Sequence, residues 1–284
     1  MIRADEFRHS YSQLTRGGGM PGKIVFQAME KARIGMIGGV LSFFIFFSPA
    51  RADESSDAQR RELHLYLQGR YLFQKHCTTC HGTTGRGDGP WAEGLTDKPR
   101  NFRSGIFKFR STAFGTLPTD DDLRRTIRSG ISGTAMPFFK DITDENVEAL
   151  IVYIRSLSRN WNKEELAPVP VNLPERPDWF QESDELVSHR KRGGKLFATH
   201  CAVCHGPSGD GDGPGAEGLV DVWEEISRPA KLSEPHHKSG DAPTDLYRTI
   251  ATGLNGTPMI GYAGLLKEDE IWDLVSFIET LSES

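Results

Sequence analysis

Two segments of the chain repeat one apolar spacing. Val147, Leu150, Ile151, Ile154 and Leu157 fall at +3, +4, +7 and +10, one face of an amphipathic helix, with Thr143 as N-cap and Asp144 and Glu145 in the first turn. Ile271, Leu274, Val275, Ile278 and Leu281 show the same spacing. The stretches running into Cys77 and Cys201 also read as helices, with Leu72 and Phe73 matched by Leu196 and Phe197. Between these ends Gly, Pro, Asp and Thr abound and no period-2 alternation is sustained, so loops and short helices are expected there. The pattern predicts an all-α protein that needs no strands.

These helices belong to a duplication. The stretch GRYLFQKHCTTCHGTTGRGDGPWAEGL from Gly69 aligns with GGKLFATHCAVCHGPSGDGDGPGAEGL from Gly193 at an offset of 124. DLRRTIRSGISGTAM from Asp122 aligns with DLYRTIATGLNGTPM from Asp245 at 123, and VEALIVYIRSL from Val147 with IWDLVSFIETL from Ile271 at 124. Pro168, Pro170, Pro174 and Pro177 crowd the stretch between the copies, which reads as a linker. The predicted organisation is a first domain over 53–160, a Pro-rich linker over 161–184 and a second domain over 185–284.

Residues 1–52 read as a signal peptide with an over-long start, so that Met20 or Met29 is suggested as the true beginning. Lys31 and Arg33 precede an apolar run of 14 residues over 34–47, and Ala50-Arg51-Ala52 has the small-x-small form of a signal peptidase site. The run is short of the roughly 20 residues that span a bilayer, which favours export over anchoring. A retained segment would instead anchor the chain in the membrane. Cleavage removes seven of the 34 Lys and Arg and three of the 39 Asp and Glu, leaving 27 against 36, net −9. That balance argues against nucleic acid and suits partners met by charge steering. Arg100, Arg103, Lys108, Arg110, Arg124, Arg125 and Arg128 run against it. They read as a solvated face, with pairing to the carboxylates of a cofactor or partner as the alternative.

The four Cys fall in Cys77-Thr-Thr-Cys80-His81 and Cys201-Ala-Val-Cys204-His205. A disulfide closed over C-x-x-C adds little stability and leaves both His unexplained. A four-Cys zinc site requires the two pairs to converge across the repeat, although a duplication implies that each copy works alone. Covalent attachment of haem c uses every residue, with thioethers from both Cys and an iron bond from the adjacent His. A polar, loop-rich chain also gains from a large apolar cofactor in its core.

The chain here resembles the class I c-type cytochromes in a tandem, di-haem form. The resemblance covers about residues 60–158 and 185–282 and extends to Gly69-x-x-x-Phe73-x-x-x-Cys77 and Gly193-x-x-x-Phe197-x-x-x-Cys201, similar to that family's N-terminal helix. Leu150-x-x-Tyr153 and Leu274-x-x-Phe277 resemble the C-terminal helix that crosses it at the Gly. It implies two small all-α domains, each wrapped around one covalently bound haem c. The segments holding KPRNF from Lys98 and SRPAKL from Ser227 are longer than in the smallest members.

Of six Met, only Met136 and Met259 lie beyond the cleavage site, each in Gly-Thr-x-Met, 55 residues after His81 and 54 after His205. Met commonly fills core gaps. The family, however, places its distal ligand on a loop where both of these Met lie. The site set is therefore Cys77, Cys80, Cys201 and Cys204 as covalent anchors, His81 and His205 as proximal ligands, and Met136 and Met259 as distal ligands, an arrangement that raises the haem potential. His76 and His200 read as helix-surface or haem-edge residues, His64 and His189 as surface helix positions, and His236 and His237 as exposed loop. GDGDGPG from Gly209 has Pro214 where a calcium loop needs its next ligand, so the Gly-Asp-Gly-Pro segments read as turns.

Two six-coordinate haems and no acid/base constellation imply a periplasmic electron carrier with no catalytic residues, not an enzyme. Its expected partners are redox proteins, a quinol-oxidising or dehydrogenase donor and an oxidase or reductase acceptor. The alternatives are a cytochrome subunit of a membrane-bound dehydrogenase or reductase complex, and a di-haem peroxidase or oxidase. The last requires one lobe without a usable distal Met.

Overall fold

The computed structural model describes residues 50–181 and 183–282. The predicted export run over 34–47 lies outside the described residues. Helix α1 (Ala50–His76) runs into the short α2 (Thr78–His81), followed by α3 (Asp120–Ser129) and α4 (Asp144–Ser156). The order then repeats as α5 (Ser183–His200), α6 (Ala202–His205), α7 (Pro243–Thr252) and α8 (Glu268–Ser282). Among the described residues extended pairing is limited to isolated bridges such as Thr112 with Pro170, so the fold is all-α. No helix among the described residues is long and apolar enough to cross a membrane.

The predicted periodic faces form two separate cores. Phe73, Val147, Leu150, Ile151 and Ile154 are buried in the first, and Phe197, Ile271, Leu274, Val275 and Ile278 in the second. Each fully buried side chain of this size contributes about 1.5–3 kcal/mol. In each lobe a helix crossing sets the geometry. A Cβ on Gly69 would lie 1.9 Å from the Ala149 carbonyl oxygen, and one on Gly193 would lie 2.0 Å from that of Asp273. Only a residue without a side chain lets α1 meet α4, and α5 meet α8, at such range.

The helix starts are made differently. Thr143 Oγ1 caps α4 by accepting from Asn146 N at 3.3 Å, as its sequence predicts. At α3, Thr119 and Asp122 form a reciprocal capping box, and Asp122 is wholly buried. Its Oδ2 also accepts from Ser111 N at 2.9 Å, and its Oδ1 pairs with Arg125 at 2.7 Å. The matching helix α7 starts from Ala242, which has no capping side chain, with Pro243 in its first turn.

From Asp57 onward the chain is one compact unit. The Pro-rich stretch lies along residues 111–117: Ala113 N donates to Val169 O at 2.7 Å and Val171 N to Ser111 O at 2.9 Å. Pro168 and Pro170 lack N–H groups, and the pairing uses the residues that alternate with them. Part of the basic stretch is not a solvated face. Arg110 is 1% exposed and donates to main-chain carbonyls of the second lobe, and the Arg100 guanidinium sits 4.3 Å from the Trp223 ring centre. His189 also departs from the surface position expected of it. Its ring stacks on Trp179 at 3.4 Å and its Nδ1 lies 2.5 Å from buried Asp273.

Candidate functional site

Each helix α1 and α5 ends by tightening into a C-x-x-C-H turn. His81 N donates to Cys77 O at 2.8 Å and His205 N to Cys201 O at 2.9 Å. The Gly-Asp-Gly segment then folds back on the turn: Gly87 N bonds His81 O at 2.9 Å, and Gly211 N bonds His205 O at 2.8 Å. Both motifs thus present two thiols and an imidazole from one rigid turn.

All four Cys are free and half-buried. Burial, with the neighbouring thiol, pushes Cys77 up to about 12 and Cys201 up to about 11, so both stay protonated at neutral pH. Among the described residues no three His, Cys, Asp or Glu converge to hold a metal ion, which leaves the four-Cys zinc reading unsupported.

The two imidazoles are oriented alike. His81 Nδ1 lies 3.0 Å from Arg100 O, and His205 Nδ1 lies 3.0 Å from Ala230 O. A carbonyl only accepts, so Nδ1 carries the proton and Nε2 keeps its lone pair. Burial lowers the pKa of both rings and outweighs the bond to the carbonyl, which keeps them neutral. His81 also stacks on Phe102, ring centres 4.5 Å apart.

In the first lobe Cys77, Cys80, His81 and Met136 line one cavity, walled by Phe102 and Ile127 among other apolar side chains. Arg100, Lys108 and Lys238 stand among its lining residues, and Lys238 of the second lobe pairs with Asp97. His76 sits at the same cavity, 6.1 Å between ring centres from Phe139. His200 packs similarly at 6.0 Å from Tyr262. His236 is exposed and paired with Asp241 at 2.9 Å.

The two Met loops share one internal frame. Ile131 N donates to Met136 O at 3.1 Å and Met136 N to Thr134 Oγ1 at 3.1 Å. Their counterparts are Leu254 N to Met259 O at 2.9 Å and Met259 N to Thr257 Oγ1 at 3.2 Å. The Thr of Gly-Thr-x-Met is therefore a loop-closing residue.

This donor set fits an iron porphyrin. It offers paired thiols, a neutral imidazole with a free Nε2 and, in the first lobe, an apolar cavity shared with a thioether. Sequence reasoning missed the carbonyls of Arg100 and Ala230. Their signal was Pro99 and Pro229, each one residue earlier, in segments whose unequal lengths hid the match.

Two families match the chain: Cytochrome c over residues 190–282, and Cytochrome C oxidase, cbb3-type, subunit III over 49–154. A thiosulfate dehydrogenase of Psychrobacter arcticus is 26% identical over 236 residues, 81% of this chain and 64% of that protein. The cbb3-type cytochrome c oxidase subunit FixP of Azorhizobium caulinodans is 24% identical over 216 residues, 75% of this chain and 59% of that one. The chain thus spans about 60% of the length of these curated relatives. Among solved structures, a chain of the Kuenenia stuttgartiensis reducing HAO-like protein complex is 34% identical with a TM-score of 0.69, covering 75% of this chain and 95% of that one. One expectation is corrected here. The sequence was read as a carrier and not an enzyme, whereas a relative over most of the chain bears the name of a dehydrogenase.

Proposed function

The chain belongs to the c-type cytochromes and carries two of their domains, and from that premise we propose that it passes single electrons between redox partners through two covalently attached haems c. An iron porphyrin, when bound, supplies the one-electron couple. The chain's own residues do the rest. Cys77 and Cys80, then Cys201 and Cys204, are the covalent anchors. His81 and His205 are held by the Arg100 and Ala230 carbonyls with Nε2 available as proximal ligand. Met136 and Met259 are the distal ligands on their closed loops. Apolar walls such as Phe102 and Ile127 exclude water, which with a thioether ligand favours the reduced state. The site of action is the periplasm, reached through the segment over 34–47. Its partners are a dehydrogenase or quinol-oxidising donor and an oxidase or reductase acceptor.

The observation that carries this reading is the repeated geometry at His81 and His205, one imidazole orientation built twice. A redox titration of the holoprotein with optical and magnetic detection tests it. Met136→Leu and Met259→Leu are each expected to remove about half of the far-red sulfur-to-iron band and to lower one of two potentials. Both variants keeping the band and the potentials would refute the distal assignment.

The likeness to a thiosulfate dehydrogenase favours a second reading, in which the chain takes part in oxidising thiosulfate itself. Thiosulfate added to the oxidised holoprotein then reduces the haems without a further protein. No reduction on addition leaves the electron-transfer reading alone in place.

A further inference from the structure

The first lobe reaches into the root of the Met259 loop. Arg110 is 1% exposed; its Nη2 donates to Thr252 O at 2.7 Å and its Nη1 to Gly253 O at 3.0 Å. Thr252 is the last residue of α7, so the guanidinium satisfies two carbonyls at the negative end of that helix. Thr252 Oγ1 returns a bond to Arg110 O at 3.3 Å. Arg110 is itself fixed, because the next residue, Ser111, donates its N–H to buried Asp122 at 2.9 Å.

The grip continues along the loop. Asn255 is buried, accepts from Gly115 N at 2.8 Å and donates to Thr116 O at 2.9 Å. One residue on, a Cβ at Gly256 would lie 3.0 Å from Ile106 of the first lobe, while Trp223 and Val222 of the second lobe itself back the same position, Trp223 at 3.1 Å from that Cβ and Val222 N donating to Gly256 O at 2.9 Å. The corresponding positions of the first lobe lack these partners, and the chain after Met136 is tied within its own lobe instead, Arg128 Nη1 donating to Phe139 O at 3.3 Å and Lys140 O at 3.0 Å. Ser129, Ser132 and Gly133 are exposed, and nothing lies within 4 Å of a Cβ at Gly133.

We propose that the first lobe acts as the clamp of the second lobe's Met loop, with Arg110 and Asn255 as positioning residues. Removing the Met259 sulfur from its iron then requires opening the lobe interface, whereas the Met136 loop opens alone. Loops held by few buried bonds open at low free-energy cost, and those locked into a packed interface open near the cost of breaking it. The inference rests on the assignment of Met136 and Met259 as distal ligands.

Imidazole titration of the oxidised holoprotein tests it, since imidazole takes the iron only where the Met swings away. Wild type is expected to show two classes of site. In the Met136→Leu background the opened haem, with no sulfur to displace, saturates first and the later transition reports the Met259 haem; Arg110→Gln there is expected to strengthen imidazole binding in that transition by roughly 10- to 100-fold, the scale of a lost charge-assisted hydrogen bond. Asn255→Ala, which leaves Arg110 in place, shifts it the same way by less. In the Met259→Leu background both substitutions leave the Met136 haem at its wild-type affinity.

Equal affinity of the two wild-type sites, or equal shifts in both backgrounds, overturns the clamp. Should Arg110→Gln fail to fold, Asn255→Ala decides, and an unmoved second site counts against the proposal. Failure of the underlying assignment looks different: Met259→Leu alone would then leave the sulfur-to-iron band intact. A band lost on Met259→Leu together with unchanged imidazole affinity on Arg110→Gln rejects the clamp and keeps the ligand.

Discussion

Gly133 and Gly256 hold the same place in two copies of one loop, and both take left-handed backbone, φ 70° and 81°. Within each loop the hydrogen bonds agree to about a tenth of an ångström or two. Outside it they diverge: Gly133 faces open space, and Gly256 is closed in by Ile106 and Trp223. Bonds between residues two to five apart are fixed by the loop's own sequence, so duplication carries them over intact. What packs on the loop comes partly from the other lobe, as Ile106 does, and partly from the second lobe's own longer segment, as Trp223 does, and two lobes joined in tandem cannot cover each other identically. Asn255 marks the divergence, since Ser132 stands at its place in the first copy. An amide donates and accepts at once, as the contacts with Gly115 and Thr116 require.

The largest expected effect tests what the lobes share. Gly69→Ala and Gly193→Ala each place a methyl group about 2 Å from a main-chain oxygen of the crossing helix, which only backbone movement can relieve. Each is expected to cost about 3 kcal/mol or more, the upper end for overpacking, with similar losses in chemical denaturation of the holoprotein. A tolerated alanine at one of the two crossings would show that the lobes are not built alike.

The loops themselves provide the next contrast. Gly133→Ala and Gly256→Ala both force a side chain into left-handed backbone, about 1–2 kcal/mol. Gly256→Ala also presses on Ile106 and Trp223 and is expected to cost about 1–3 kcal/mol more. Matching denaturation midpoints for the two variants would erase the contrast.

A smaller difference separates Asp122 from Asp245. Asp122→Asn weakens acceptors that hold Ser111, Thr119 and Arg125 and is expected to cost about 2 kcal/mol. Asp245 pairs with Arg248 in the first turn of its helix, where Ser239 O also accepts from the guanidinium, and Asp245→Asn, which weakens one hydrogen bond, is expected to cost about 1 kcal/mol. Thermal unfolding of the two variants compares them directly.

The Thr143 cap was legible in the sequence because it is a local pattern, the Gly-centred crossings through the resemblance to the family's helices, and the periodic faces of α4 and α8 because the duplication states them twice. The turns after the C-x-x-C-H motifs were legible for the same reason. Arg110 was not, and neither was His189. Both were read from charge and helix position alone, and the bonds that hold them run to partners 142 and 84 residues away. The carbonyls that orient the two imidazoles were hidden differently. A main-chain oxygen has no residue type, and only the proline before it leaves a trace.

Asp122 also sets an acid limit on the first lobe. Burial alone raises its pKa, but the Ser111 and Thr119 amides and the Arg125 guanidinium outweigh it and hold the carboxyl below its ordinary value of 3.8. A carboxyl depressed in the folded state contributes stability that is complete above 3.8 and drains as pH falls toward the folded value, because the unfolded chain takes up the proton first. The neighbouring bonds at Ser111 carry that loss to Arg110 and hence to the lobe interface. Denaturation midpoints of wild type and Asp122→Asn, measured in steps from pH 5 down to about pH 3, should therefore converge as the acid side of 3.8 is entered. A gap that stays constant through that window would mean that the capping geometry, and not the charge, is what Asp122 contributes.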